Sequence, residues 1–361
     1  MDMYQKREMR KNKKMNEDTK SLPSTSINWY PGHMAKAKRE IKEKIDLIDI
    51  VFEVIDARIP YSSKNKDVDN IINNKEKIII MTKMDLCDLE VTNKWIKHYE
   101  NMGYKVILTD LLSKKNIKDI FNLTEELSTK LNQKRKEKGL LPRKTRILVL
   151  GIPNVGKSTL INALVGKKAT NVGNKPGITK HLEWIRINDK MELLDSPGIL
   201  WPKLDNETVA LNLASTTAIK EEILDTSEVA IYIINKMLEL YPENIISRYN
   251  INKEDDIVDT LDKIGKKIGA YKNGECDYDR VYITILKDLR EGYLGKITFD
   301  RIKEWKKSLF LVFCFFQHCC YKNTISFTSI IDNNVSYCTN YVIILNNRTT
   351  THTLNYATSY T

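Results

Sequence analysis

The chain has 361 residues, 42% of them hydrophobic and 29% charged, which is the balance of a folded globular protein and excludes a disordered or membrane-embedded one. Its formal net charge of +11 favours polyanionic partners, nucleic acid before membrane surface, although a solvated lysine-rich face gives the same number. The six cysteines form no C-x-x-C pair, so a reduced, cytoplasmic compartment is expected over a disulfide scaffold or zinc site.

Residues 1–26 are rich in Lys and Arg, then in Ser and Thr, and read as a disordered basic tail. They lack the apolar run of a secretory signal, and Glu8, Glu17 and Asp18 interrupt the basic pattern a transit peptide would keep. From about 34 to 47, Ala37, Ile41, Ile45 and Ile48 recur at helical spacing. "DIVFEVIDARIP" reads as a buried strand ending in a loop, "EKIIIMTKMD" as a second, and "YKVILTD" as a third. Helices are predicted over 91–101 and about 116–131, and "NQKRKEKGLLPRK" reads as a charged linker. After it, "TRILVL" is a fourth strand, and "HLEWIRIN" and "KMELLDSPG" continue the sheet. The alternation predicts a parallel α/β sheet covered on both faces. Residues 207–307 read as a separate α-helical domain with one turn near "YKNGECDYD"; residues 308–361, with a single acidic residue, read as an atypical tail without function. No stretch approaches the ~20 apolar residues of a membrane span, and no stable membrane association is expected.

"GIPNVGKS", Gly151–Ser158, fits the phosphate-loop pattern G-x-x-x-x-G-K-[ST] between a strand and a helix. Backbone N–H groups of Asn154, Val155, Gly156, Lys157, Ser158 and Thr159 can cradle phosphate oxygens, Lys157 can reach the β- and γ-phosphates, and Ser158 can bind Mg²⁺. Asp195, ending an apolar strand in "ELLDSPG", suits an indirect Mg²⁺ contact, Gly198 can approach the γ-phosphate, and Thr179 in "PGIT" offers a hydroxyl to Mg²⁺. "TKMD", Thr82–Asp85, resembles the guanine-reading pattern N-K-x-D. A carboxylate at Asp85 can accept from both guanine N1–H and the exocyclic amine, a match adenine lacks. The Lys83 stem would lie along the base, and Thr82 departs from the pattern by replacing Asn. Asp110 and Leu111 stand where a second base loop is expected, as a poor match. These base-reading loops precede the phosphate loop, the reverse of the usual order, which predicts a circular permutation.

"NWYPGHMAKA", "DARIP", "GIPNVGKS", "PGIT" and "DSPGILWPK", in this order, resemble the YlqF/RbgA family of circularly permuted ribosome-assembly GTPases, from about Ile27 to Trp305. "DYDR" followed by "LREGYLGKITFD" is similar to that family's C-terminal helical domain. The resemblance implies a permuted P-loop GTPase domain over 27–206 and an RNA- and ribosome-binding domain over 207–307. It implies GTP hydrolysis coupled to maturation of the large ribosomal subunit, with rRNA as a partner; the chain is expected to be monomeric. Ile199, Leu200 and Trp201 follow Gly198, and no apolar side chain orients a water for attack. The resemblance supplies two sources of help. Asn154 would hold K⁺ against the phosphates, and His33 would be the catalytic residue. Alternatives are that Asn154 caps its loop, and that His33 packs on Trp29 or Tyr30 or contacts rRNA. Two other functions stay open: an RNA-binding protein whose nucleotide site only sets conformation, and a P-loop ATPase.

Overall fold

The computed structural model describes residues 32–72, 75–166, 182–199, 206–219, 225–272 and 274–302. Among them the chain runs through α1 (Gly32–Lys44), a single 3₁₀ turn, β1 (Ile50–Asp56), α2 (Lys66–Ile72), β2 (Glu76–Thr82), α3 (Leu89–Asn101), β3 (Lys105–Leu108) and α4 (Ile117–Glu137). There follow β4 (Thr145–Leu150), α5 (Lys157–Val165), β5 (Glu183–Arg186), β6 (Met191–Asp195), α6 (Glu207–Ser215), α7 (Thr226–Leu240), α8 (Pro242–Tyr249) and α9 (Ile257–Ile268). A two-residue hairpin, β7 (Tyr271–Lys272) and β8 (Glu275–Cys276), precedes α10 (Tyr278–Glu291).

The main sheet has the order β3-β2-β1-β4-β6-β5. Its β1 pairs in parallel with both β2 and β4, so the strand before the "DARIP" loop lies between the "TKMD" strand and the phosphate-loop strand. One expectation is corrected at the edge, because β5 runs antiparallel to β6. Only residues 187–190 join them, closed by the Ile187 N–H donating to the Met191 carbonyl at 3.1 Å. A connection that short makes a hairpin, whereas a parallel neighbour needs a crossover.

Period-two alternation divides the strands between two apolar layers. Phe52, Val54, Ile147, Val149 and Leu193 face α4 and α5 and a core that continues through α6–α10. Val51, Leu148, Leu150 and Leu194 face the other way, onto Ala37 and Ile41 of α1, Val68 and Ile71 of α2, and Ile199. All of β1 is buried, as expected of a strand covered on both faces. The described residues, which end at Ile302, form one compact unit; Lys303–Thr361, which include the predicted tail, lie outside the described residues.

The helix predicted to stop near 131 continues to Glu137, taking in half of the stretch read as linker. Its core-facing pattern persists through Leu127 and Ser128, and Lys134, Arg135 and Lys136 occupy the last turn, where cations complement the helix dipole.

Candidate functional site

Parallel strands deliver their C-terminal ends to one edge of the sheet, and the loops leaving β1, β2, β4 and β6 gather there. This is where a doubly covered sheet binds ligands. After β4, the loop from Gly151 turns into α5, whose first residues are Lys157, Ser158 and Thr159. The N–H groups of a helix's first turn have no partner within the helix, so they point at whatever occupies the loop. Gly156 precedes that turn with φ +96°, a left-handed conformation that L side chains rarely adopt. A Cβ there would lie 3.2 Å from Leu111 Cδ1 and 3.7 Å from Thr82 Cγ2. The phosphate loop and both predicted base loops therefore meet at one glycine.

Thr82 has no exposed surface, and its hydroxyl donates to the Val155 carbonyl at 2.6 Å. Position 82 thus ties the base loop to the phosphate loop, a task that a hydroxyl performs as an amide would. The next residue, Lys83, is left-handed at φ 59°, and its ammonium lies 3.3 Å from Asp56 Oδ2. Burial, followed by the Arg58 charge, lowers the Lys83 pKa. Asp85 is partly exposed at the end of this loop. Asp110 shapes its own turn, accepting from the Leu112 N–H at 2.9 Å and the Ser113 hydroxyl.

Lys157 is 7% exposed and its ammonium donates to the Ile152 carbonyl at 2.8 Å. Burial pushes it down, to about 8, against the attraction of Asp195. Asp195 is 2% exposed, and burial pushes its carboxyl up, to about 6, with Lys157 opposing. Asp195 Oδ1 is buried without a hydrogen-bond partner. A buried carboxylate oxygen left unmatched is costly unless a cation uses it, so the donor set of Ser158 and Asp195 fits Mg²⁺. Thr179 lies outside the described residues.

The Asp195–Gly198 loop is stitched to the phosphate loop. Ser196 donates to the Val149 carbonyl at 2.6 Å, and the Ile199 N–H donates to the Gly151 carbonyl at 3.1 Å. A Cβ on Gly198 would meet the Pro153 N and Cα at 2.6 and 2.7 Å, so the two backbones touch where only glycine fits. Ile199 is buried in the layer that holds Ala37 and Ile41, which places α1 behind this loop. Through the 3₁₀ turn α1 feeds the start of β1, so its last turn lies at the opposite edge of the sheet. At 1.5 Å per residue its 13 residues cover about 20 Å. Its first turn, which contains His33, is thereby directed toward the nucleotide edge.

Asn154 is also left-handed, at φ 60°, and its amide nitrogen donates to the Thr217 carbonyl at 2.8 Å. Sequence reasoning did not find Thr217, whose partner lies 63 residues away. Nor did it assign a role to the "DARIP" loop. There the Asp56 carboxylate accepts from Arg58 Nε at 3.0 Å and Nη2 at 2.8 Å, with both side chains buried. Burial alone would raise the Asp56 carboxyl, but Arg58 and Lys83 outweigh it and hold it well below the usual range. An Asp and an Arg two residues apart at a strand end were the available signal.

The geometry is that of a phosphate loop met by two loops supplied from earlier in the chain, and comparison with known proteins agrees with a permuted order. Residues 146–269 match the family model described as 50S ribosome-binding GTPase, and residues 38–205 match RsgA GTPase. Ribosome biogenesis GTPase A of Priestia megaterium is 43% identical over 287 residues, spanning 79% of this chain and 100% of that protein. The chain belongs to the ribosome biogenesis GTPase A family. The Thermotoga maritima member is 31% identical, over 76% of this chain and 94% of its own. The crystal structure of GNP-bound YlqF from T. maritima matches with a TM-score of 0.52 and 27% identity, covering 74% of this chain and 98% of that one. The fold is a circularly permuted P-loop GTPase, and membership of the family makes the chain a GTP hydrolase.

Proposed function

We propose that this GTPase acts in ribosome biogenesis as a late assembly factor of the large ribosomal subunit. The observation that carries the reading is the meeting of Thr82, Leu111 and Gly156, which supports reading Asp85, in the same loop as Thr82, as a base-reading carboxylate near a phosphate cradle. Ser158, Thr179 and Asp195 would hold Mg²⁺, whose charge offsets that of the β- and γ-phosphates when bound. The orphan Asp195 Oδ1 supports this assignment. Lys157 and the N–H groups of Val155–Thr159 bind and orient the phosphates, and Gly198 completes the γ-phosphate side.

Two groups supply what the apolar residues after Gly198 lack. Asn154 serves as the K⁺ ligand. A carbonyl only accepts, so Thr217 requires the Asn154 nitrogen on its side and turns the amide oxygen the other way. His33, in the first turn of α1, is the group taken to orient the attacking water. Its helix lies behind the Asp195–Gly198 loop, so a ribosomal contact that shifts α1 reaches the hydrolytic centre directly. The helical layer α6–α10 and the basic surface are assigned to rRNA. The chain is taken to act as a cytoplasmic monomer without stable membrane association; among the described residues no helix is long and apolar enough to cross a membrane.

The test is GTP turnover by the full chain alone and with isolated large-subunit precursors. Stimulation by the particles is expected, and His33→Ala is expected to abolish it while leaving GDP affinity nearly intact. Negligible turnover on the particles favours a conformational switch over an enzyme. Equal competition by ATP for bound GTP contradicts the Asp85 assignment. A His33→Ala chain that hydrolyses normally on the particles rejects the catalytic role.

A further inference from the structure

We infer that the segment Ile297–Asp300, beyond the last helix, is a brace that positions the base-reading loop, so that the helical layer sets how firmly the base is held. The inference rests on reading Thr82–Asp85 as the guanine loop.

The segment lies between the loops that leave β1 and β2. The Ile297 N–H donates to the Leu86 carbonyl at 3.0 Å, and the Phe299 N–H donates to the Arg58 carbonyl at 2.8 Å. Between them Thr298 has no exposed surface. Its hydroxyl accepts from the Asp88 N–H at 3.2 Å and shares a hydrogen bond with the Thr92 hydroxyl at 3.0 Å. The Thr298 N–H donates to the Tyr241 hydroxyl at 2.9 Å, which donates in turn to Asp88 Oδ2 at 2.9 Å. Asp88 caps α3, the helix that follows the base loop. One residue on, the buried Asp300 carboxylate accepts from the Ser62 N–H at 2.7 Å, the Ser62 hydroxyl at 2.8 Å and the Asn212 amide at 3.0 Å. Asn212 belongs to α6 and also accepts from Tyr232 of α7 at 2.8 Å. A line of directional bonds therefore runs from the helical layer to the loop leaving β1 and to the end of the base loop at Leu86–Asp88.

The loop needs such support. Lys83 sits at φ 59°, a left-handed conformation that a non-glycine residue keeps only where its surroundings enforce it. On one side Asp56 holds its ammonium. On the other, the Leu86 N–H closes the turn onto the Lys83 carbonyl at 3.1 Å while the Leu86 carbonyl is taken by Ile297. Loosening Ile297–Asp300 frees Leu86 and lets the loop relax, which moves Asp85. These bonds run to the base side of the site, so their loss affects GDP and GTP alike. Thr298 and Tyr241 are thus positioning residues, acting through Asp85.

The experiment uses the full chain carrying Thr298→Val or Tyr241→Phe, and compares binding of GDP, GTP and IDP. Inosine lacks the exocyclic amine that Asp85 would accept from, so the preference for GDP over IDP reports how Asp85 is seated. Both variants are expected to weaken GDP and GTP by the same factor, about 5- to 10-fold for the loss of one hydroxyl and its hydrogen bonds. The GDP-over-IDP preference is expected to shrink with it. Tyr241→Phe changes a partly exposed, isosteric position, so it reads the brace even where Thr298→Val fails to fold. Asp288→Asn is the control: it breaks the Arg248–Asp288 pair of the same helical layer away from the brace, lowering Tm with the preference intact. Wild-type preference in both variants, or an equal loss in the control, overturns the inference. A wild-type chain that does not prefer GDP over IDP fails the guanine reading itself, and the brace with it.

Discussion

Replacing Thr82 by Val tests the junction between the two halves of the permuted site. The substitution keeps the branched shape and removes one hydroxyl from a position with no exposed surface. That hydroxyl carries one proton, and of its two nearby carbonyls Val155, at 2.6 Å, is much closer than Ile55, at 3.2 Å. The lost bond is therefore the one to the phosphate loop. Leaving a buried acceptor without its donor costs about 1–3 kcal/mol. If half of that falls on the nucleotide-bound form, GDP affinity drops about 2- to 12-fold. Stability falls too, by about 1–2 °C in Tm per kcal/mol in a chain of this size. Thr82→Ser keeps the hydroxyl and loses only the methyl beside Gly156, so it is expected to bind GDP close to wild type. Titration with a fluorescent GDP analogue and a thermal melt measure both effects. The reasoning is refuted if Val binds as wild type while Ser weakens, because the methyl would then be the working group.

Gly198→Ala forces a Cβ to within 2.6 Å of Pro153 and pushes the Asp195–Gly198 loop off the phosphate loop. Misplacement of this order costs about 100-fold in turnover. GDP affinity is expected to stay within about threefold, since the γ-phosphate side is the one disturbed; phosphate release at wild-type rate would contradict this. Stability of the nucleotide-free chain follows the two buried charges. Asp195 is raised to about 6, so the folded form holds the extra proton between its ordinary value and 6, and stability falls as pH rises through that window. Lys157 is lowered to about 8, so above 8 the unfolded chain binds more protons and stability climbs toward the ordinary lysine value. Urea midpoints against pH show both limbs, and Asp195→Asn is expected to erase the acidic one. Turnover is expected to be faster in K⁺ than in Na⁺ at equal ionic strength, a difference that Asn154→Ala removes; equal rates in the two salts sink the cation role.

The phosphate loop was legible because its chemistry is local: a strand, a glycine-bearing turn and a helix start occupy consecutive residues. Asp195 stood out for a related reason, as a carboxylate at the end of an apolar strand. Thr82 looked like a defect in the base-reading pattern, since a tetrapeptide does not show what its first side chain touches. Its partner Val155 is 73 residues away. The antiparallel turn of β5 was written in the few residues joining it to β6, yet strand composition alone does not give direction. Arg58 passed unassigned, because a charged residue in a loop reads as solvated until tertiary packing buries it.

By itself, then, the chain of residues determined the order of strands and helices, the phosphate cradle and the permuted order of its loops. These depend on periodicity and on contacts within a few positions, which side-chain chemistry alone dictates. The tertiary structure decided which distant groups share a hydrogen bond. It turned Thr82 from a missing amide into a tie, gave Asn154 its orientation through Thr217, and laid Ile297–Asp300 beneath the base loop. Those pairings exist only once burial removes water as the competing partner, and burial is a property of the whole fold.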